Sequence, residues 1–111
     1  MAERPDIWYT LGPDRNVIPV QYEELRSVRR KTPGSTWWIV AKTRPFRDVE
    51  VSTVFLEANH RFDDGPPLVF ETLVLGGPLA DECERYSTWD EAEVGHAAMV
   101  ARVRDAGTRY C

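Results

Sequence analysis

Two apolar runs, Val49–Ala58 and Leu68–Leu75, flank a polar segment, Asn59–Pro67, and the second run is closed by Gly76-Gly77. Short runs rich in β-branched and aromatic residues, bounded by Asn, Asp, Gly and Pro, read as strands joined by a loop. In the first run Val49, Val51, Thr53 and Phe55 share one face, and Val54, Leu56 and Ala58 share the other. In the second, Leu68, Phe70 and Val74 oppose Val69, Leu73 and Leu75. Strands apolar on both sides are central and covered twice. Two helices would cover one face. The second face calls for an N-terminal hairpin or a second copy of the chain, so a homodimer is expected.

The flanking segments supply the other elements. Asp6–Leu11 and Asn16–Val20 surround Gly12-Pro13-Asp14-Arg15, a turn signature, and predict a small hairpin. Gln21–Lys31 is rich in helix formers, with Tyr22, Leu25 and Val28 forming one stripe. Lys31-Thr32-Pro33-Gly34-Ser35 stops it. A strand follows at Thr36–Thr43, and Arg44-Pro45-Phe46-Arg47 reads as a turn. Glu84–Tyr86 reads as a short edge strand. Thr88-Trp89-Asp90-Glu91 fits a capping box, in which a Thr oxygen meets the amide three residues on and the Glu carboxylate reaches back. Trp89, Ala92, His96, Met99 and Val103 then follow at spacings of three and four, one face of a helix that Gly107 would end. The order β-β-α-β-β-β-α predicts an α+β domain. Its sheet would be mainly antiparallel, with three or four strands, and two helices would pack on one face.

Size and charge bound the function classes. At 111 residues, 42% of them apolar, the chain is expected to form one domain over residues 1–111 with a core that needs no staples. No apolar run approaches the roughly 18 residues that span a bilayer. The N-terminus lacks a signal-type apolar core, so a cytoplasmic location and no membrane partner are expected. Cys83 and Cys111 have no metal spacing, and a reduced, structural role is the default. The formal charge of −4 hides an asymmetry, because Arg26, Arg29, Arg30, Lys31, Lys42, Arg44 and Arg47 occur with no acid among them. A run like this is usually a solvated edge; its sharper reading is a surface for phosphate or an acidic partner. Trp37 or Trp38 beside it could stack on bases, although core packing is the commoner use of such a pair.

Val51-Ser52-Thr53-Val54-Phe55-Leu56, then Asn59-His60, then Gly65-Pro66-Pro67-Leu68-Val69-Phe70-Glu71-Thr72 form one ordered pattern. Arg85-Tyr86-Ser87-Thr88-Trp89-Asp90-Glu91-Ala92 with Gly95-His96 forms a second. Together they resemble a family of small uncharacterised proteins of bacteriophages, actinobacterial ones especially, and of prophage-bearing bacteria. The resemblance covers most of residues 49–104. The N-terminal half matches less well, and Glu57-Ala58 stands where the family more commonly has Gly-Leu. The resemblance implies a phage-type accessory protein, in the host-cell cytoplasm if phage-encoded, and implies no mechanism.

Side chains able to do chemistry concentrate in one region. Asn59, His60, Asp63 and Asp64 share the loop, and Glu71 follows on the returning strand. His, Asp and Glu suit a divalent metal or acid–base work, and loops on rigid hairpins are common places for sites. The spacing matches no metal motif, however, and Asp-Asp-Gly-Pro is also ordinary turn chemistry. Glu71 interrupts an apolar strand, so it needs a partner: Arg61, Arg85 or Lys42. His96 on the helix stripe reads as a satisfied core residue, or as a group meeting Glu71 or His60. No phosphate-binding Gly loop, nucleophile elbow or zinc-knuckle spacing is present.

Three functions compete. The leading expectation is a non-enzymatic accessory protein that binds another protein, with no cofactor and no metal. The second is a nucleic-acid-binding module using Arg26–Arg47, against which the overall acidity counts. The third is a small metal-dependent hydrolase drawing on His60, Asp63, Asp64, Glu71 and His96; no catalytic residue is committed.

Overall fold

The computed structural model describes residues 8–24, 38–59 and 64–108. An antiparallel hairpin comes first, β1 (Trp8–Leu11) and β2 (Val17–Val20). Residues 22–24 are helical, and the remainder of the helix expected over Gln21–Lys31 lies outside the described residues. Next come β3 (Ile39–Phe46), β4 (Val49–Phe55), β5 (Phe70–Leu75) and β6 (Cys83–Tyr86), which form one antiparallel sheet in chain order. A helix, Trp89–Thr108, completes the fold and packs on that sheet. The architecture is α+β with a four-stranded antiparallel sheet.

Strand alternation decides which side chains meet the helix. Val49, Val51, Thr53 and Phe55 of β4 are buried, as are Phe70, Thr72 and Val74 of β5. Ala92, His96, Met99 and Val103 are the buried positions of the helix, the stripe that the spacing predicts. Two apolar clusters result. Val49, Val51, Val74, Met99 and Val103 fill one end. Phe55, Val69, Phe70 and Ala92 fill the other, where Tyr9, Leu11 and Val17 of the hairpin pack against them. The hairpin therefore closes one end of the helix-side core rather than covering the second face of the sheet. It is tied there by the Tyr9 amide, which donates to the Glu57 carbonyl at 2.8 Å. Glu57 has φ +66°, a left-handed conformation that glycine adopts at no steric cost.

The opposite face of the sheet is less apolar than the two-sided pattern predicts. Cross-strand register places Val54 beside Glu71 and Glu71 beside Arg85, and Leu73 between Ser52 and Cys83. Leu75 is exposed. Ion pairs Arg44–Glu50 (3.7 Å) and Arg85–Glu71 (3.3 Å) interrupt the apolar positions. The segment Arg44–Phe46 is strand, not turn. The chain reverses at Arg47-Asp48, and a register irregularity between Thr43 and Phe46 admits Pro45, which has no amide hydrogen to give a ladder.

Close contacts fix the helix on the sheet. A Cβ on Gly95 would lie 2.2 Å from Tyr86 ring atoms, so only glycine lets the β6 aromatic lie against the helix there. Gly107 plays the same part for Phe46, with a ring carbon 2.3 Å from a built Cβ. Gly107 thus sits inside the helix, which runs to Thr108, and is not its stop.

The capping box forms as the sequence predicts. The Glu91 amide donates to Thr88 Oγ1 at 3.1 Å, and the Thr88 amide donates to Glu91 Oε1 at 3.1 Å. Asp90 and Glu91 face the positive end of the helix dipole. Thr88→Ala is expected to cost roughly 1 kcal/mol of stability with the fold unchanged. Paired denaturant melts check this; an unshifted midpoint would mean that the cap contributes nothing.

Candidate functional site

The sheet separates the two titratable candidates that the structure describes in its strands and helix. Glu71 projects from β5 on the face opposite the helix. There it pairs with Arg85, its directly opposed neighbour on β6, as the buried-carboxylate argument requires. The Cys83 thiol donates to Glu71 Oε1 at 2.9 Å. Burial first, then this bond to a carboxylate, pushes the Cys83 thiol up to about 11, so it is neither a thiolate nor a nucleophile at neutral pH. Asp64 is exposed in its loop. His60 and Asp63 lie outside the described residues. Asn59 has a structural part, because its Oδ1 accepts from the Leu68 amide at 2.8 Å and so clips the ends of the loop together.

His96 projects from the helix into the other side of the sheet and is 6% exposed. Among the described residues it meets neither Glu71 nor any metal-binding neighbour, and the alternative contact with His60 lies outside them. Both ring nitrogens bond to threonine hydroxyls: Nε2 with Thr43 Oγ1 at 2.8 Å, Nδ1 with Thr53 Oγ1 at 2.7 Å. Thr53 in turn bonds Thr72 across β4 and β5. The Tyr86 hydroxyl is buried beside Thr72 and, among the described residues, has no partner in hydrogen-bonding geometry. Burial lowers the His96 pKa below its ordinary value, which keeps the ring neutral. The result is a polar layer running Thr43–His96–Thr53–Thr72 between two apolar clusters. Thr53 and Thr72 carried a sequence signal, since each stands at an inward position of an apolar strand. Their convergence on His96 depends on strand register.

Among the described residues, no three His, Cys, Asp or Glu side chains gather closely enough to hold a metal ion. Of the basic segment, Arg26, Arg29, Arg30, Lys31 and Trp37 lie outside the described residues. Lys42 and Arg44 are exposed on β3, which borders the four-stranded sheet, and Arg47 is exposed in the following turn. Charged side chains and a proline on a border strand also discourage pairing with other chains. Trp38 is exposed.

A cleft of about 580 Å³ lies between the β1–β2 turn and the start of the helix. Asp14, Arg15, Asn16 and Val17 line it from the turn, and Ser87–Asp90 and Glu93 from the helix. The Arg15 guanidinium sits 4.6 Å from the centroid of the Trp89 ring, a cation–π contact that joins hairpin to helix. The Ser87 and Thr88 amides, just before the helix, donate to Glu91 Oε1, and the Glu91 amide donates to Thr88 Oγ1, so the cap occupies donors at the edge of the cleft. Three carboxylates around one guanidinium give the cleft acidic character. Sequence reasoning found the turn and the cap separately and missed the cleft, which exists only once the two are brought together.

No protein-family model, curated protein or solved structure matches the chain.

Proposed function

We propose that this chain is a small accessory protein of the phage type that works by binding another protein and not by chemistry at a catalytic centre. The observation that carries the reading is the fate of Glu71 and His96. They lie on opposite sides of one sheet, and each is consumed by structural partners: Arg85 and Cys83 for Glu71, Thr43 and Thr53 for His96. A general acid or base must reach a substrate proton, and a metal ligand must converge with others. Neither side chain is placed for either task. The surface is left as the working part of the molecule, with the acidic cleft and the mixed outer face of the sheet as its distinctive features.

The test pairs capture with metal analysis. The tagged chain is recovered from infected or lysogenic cells, captured proteins are identified, and the strongest is purified and remixed with the chain. A saturable complex of fixed stoichiometry is expected, with melting of the free chain unchanged by chelator. Stoichiometric zinc, manganese or magnesium, with a lower melting temperature after chelation, would overturn the reading and bring His60, Asp63 and Asp64 forward as ligands. Recovery of nucleic acid alone, held at physiological salt, would overturn it in favour of the basic segment.

A further inference from the structure

We propose that the His96–threonine layer is an acid-sensitive latch that holds the C-terminal helix on the sheet only while the imidazole is neutral. The geometry that supports this is a histidine at the centre of the helix–sheet interface. Val51 and Phe55 flank Thr53 on β4, and Phe70 and Val74 flank Thr72 on β5, all buried. Hydrogen bonding alone does not resist protonation. In the neutral ring one nitrogen donates and the other accepts; in the imidazolium both donate, and Thr43 and Thr53 can rotate to accept. What resists it is the charge. A cation at this position leaves water and, among the described residues, finds no counter-ion.

The surrounding elements bear this out. β3 presents Thr43, β4 presents Thr53, and β5 presents Thr72. From β6 come Tyr86, whose own pKa is raised chiefly by burial, and Glu84, which opposes Thr72 in the register and is exposed. On the helix the nearest carboxylate in sequence is Glu93, also exposed. Among the described residues none of these carboxylates pairs with the ring, and burial is the cause of its lowered pKa.

The sign follows from linkage. The folded-state pKa lies below the ordinary value of 6.5, so the unfolded chain binds the proton more readily. The latch is fully engaged above 6.5 and weakens as pH falls toward the folded value. For one proton the unfolding constant rises by up to about tenfold per pH unit in that interval.

The experiment is urea unfolding of the full chain from pH 7.5 to 5, alongside His96→Gln and His60→Gln, the latter changing the other of the chain's two histidines. Proton NMR of the imidazole signals accompanies it. The expected result is a fall in stability below pH 6.5 for the wild type and for His60→Gln, and a flat profile for His96→Gln. The His96 ring signal should titrate below the ordinary range, together with loss of helix–sheet packing signals. If His96→Gln does not fold, the wild-type profile and the ring titration decide. A wild-type profile flat over this range, an equal slope in His96→Gln, or a His96 ring that titrates with the helix still packed would overturn the proposal.

Discussion

Phe70→Ala is expected to remove roughly 3–5 kcal/mol of stability, the range for emptying a buried aromatic site. Phe70 is fully buried and stands at the first position of β5. Its ring lies 5.2 Å from that of Phe55 at a tilt of 56°, and 6.1 Å from that of Trp89 edge to face. It also belongs to the cluster against which the hairpin side chains Tyr9, Leu11 and Val17 pack. Sheet, helix start and hairpin therefore meet at the cluster that Phe70 fills, and backbone collapse around the void would have to move all three. Domains of this size have about 5–15 kcal/mol in total, so the loss approaches unfolding for a marginal chain. Guanidinium melts measure it, with the exposed Val94→Ala as a surface control expected to shift stability by at most about 0.5 kcal/mol. A loss near 1 kcal/mol for Phe70→Ala would show that this cluster does not hold the three elements together.

Much of this arrangement was legible in the sequence, and the reasons differ by element. The helix stripe and its cap were readable because both are local: period and capping chemistry involve residues within one or two turns. The central strand pair was readable from its β-branched runs and the glycine pair that ends it. The position of the β3–β4 reversal was not. Arg44-Pro45-Phe46-Arg47 contains a turn-favouring proline, yet a bulge lets Pro45 remain in a border strand, and nothing in the four residues distinguishes the two uses. Gly107 misled for a related reason. Glycine after a helical stripe usually marks the stop, but here the Phe46 ring requires its missing Cβ within the helix. The two-sided cover expected of β4 and β5 was overstated because alternate apolar residues on the outer face are interleaved with charges that pair across strands.

The candidate site was legible as a set of residue types and illegible as geometry. Glu71 was expected to need a basic partner, and Arg85 supplies it, because a carboxylate in an apolar strand admits few alternatives. His96 was expected either to be satisfied in the core or to meet Glu71. Side-chain direction decided between them: Glu71 and Thr72 are adjacent in β5, so they point to opposite faces, and only Thr72 faces the helix.

Thr53→Val tests the polar layer with the second-largest expected effect, roughly 2–4 kcal/mol. The substitution keeps the shape of the side chain and removes only its hydroxyl. That hydroxyl bonds both His96 Nδ1 and Thr72 Oγ1, and Thr53 and Thr72 have no exposed surface. Two polar groups are stranded at once, at about 1–3 kcal/mol each when buried. A change of tautomer does not rescue the ring, because Nδ1 faces a methyl group whether it carries a proton or a lone pair. The opposite outcome is expected when the three buried members of the layer are removed together. Thr53→Val, Thr72→Val and His96→Leu together leave nothing stranded at those positions, the half-buried Thr43 hydroxyl can turn to water, and apolar replacement of buried polar groups is often neutral or better. Most of the single-variant loss should therefore return in the triple variant. Denaturant melts of the two variants against wild type read this directly. Thr53→Val with an unshifted midpoint would show that the layer contributes nothing. A triple variant no more stable than Thr53→Val would show that packing volume, and not stranded hydrogen bonds, sets the cost at this interface.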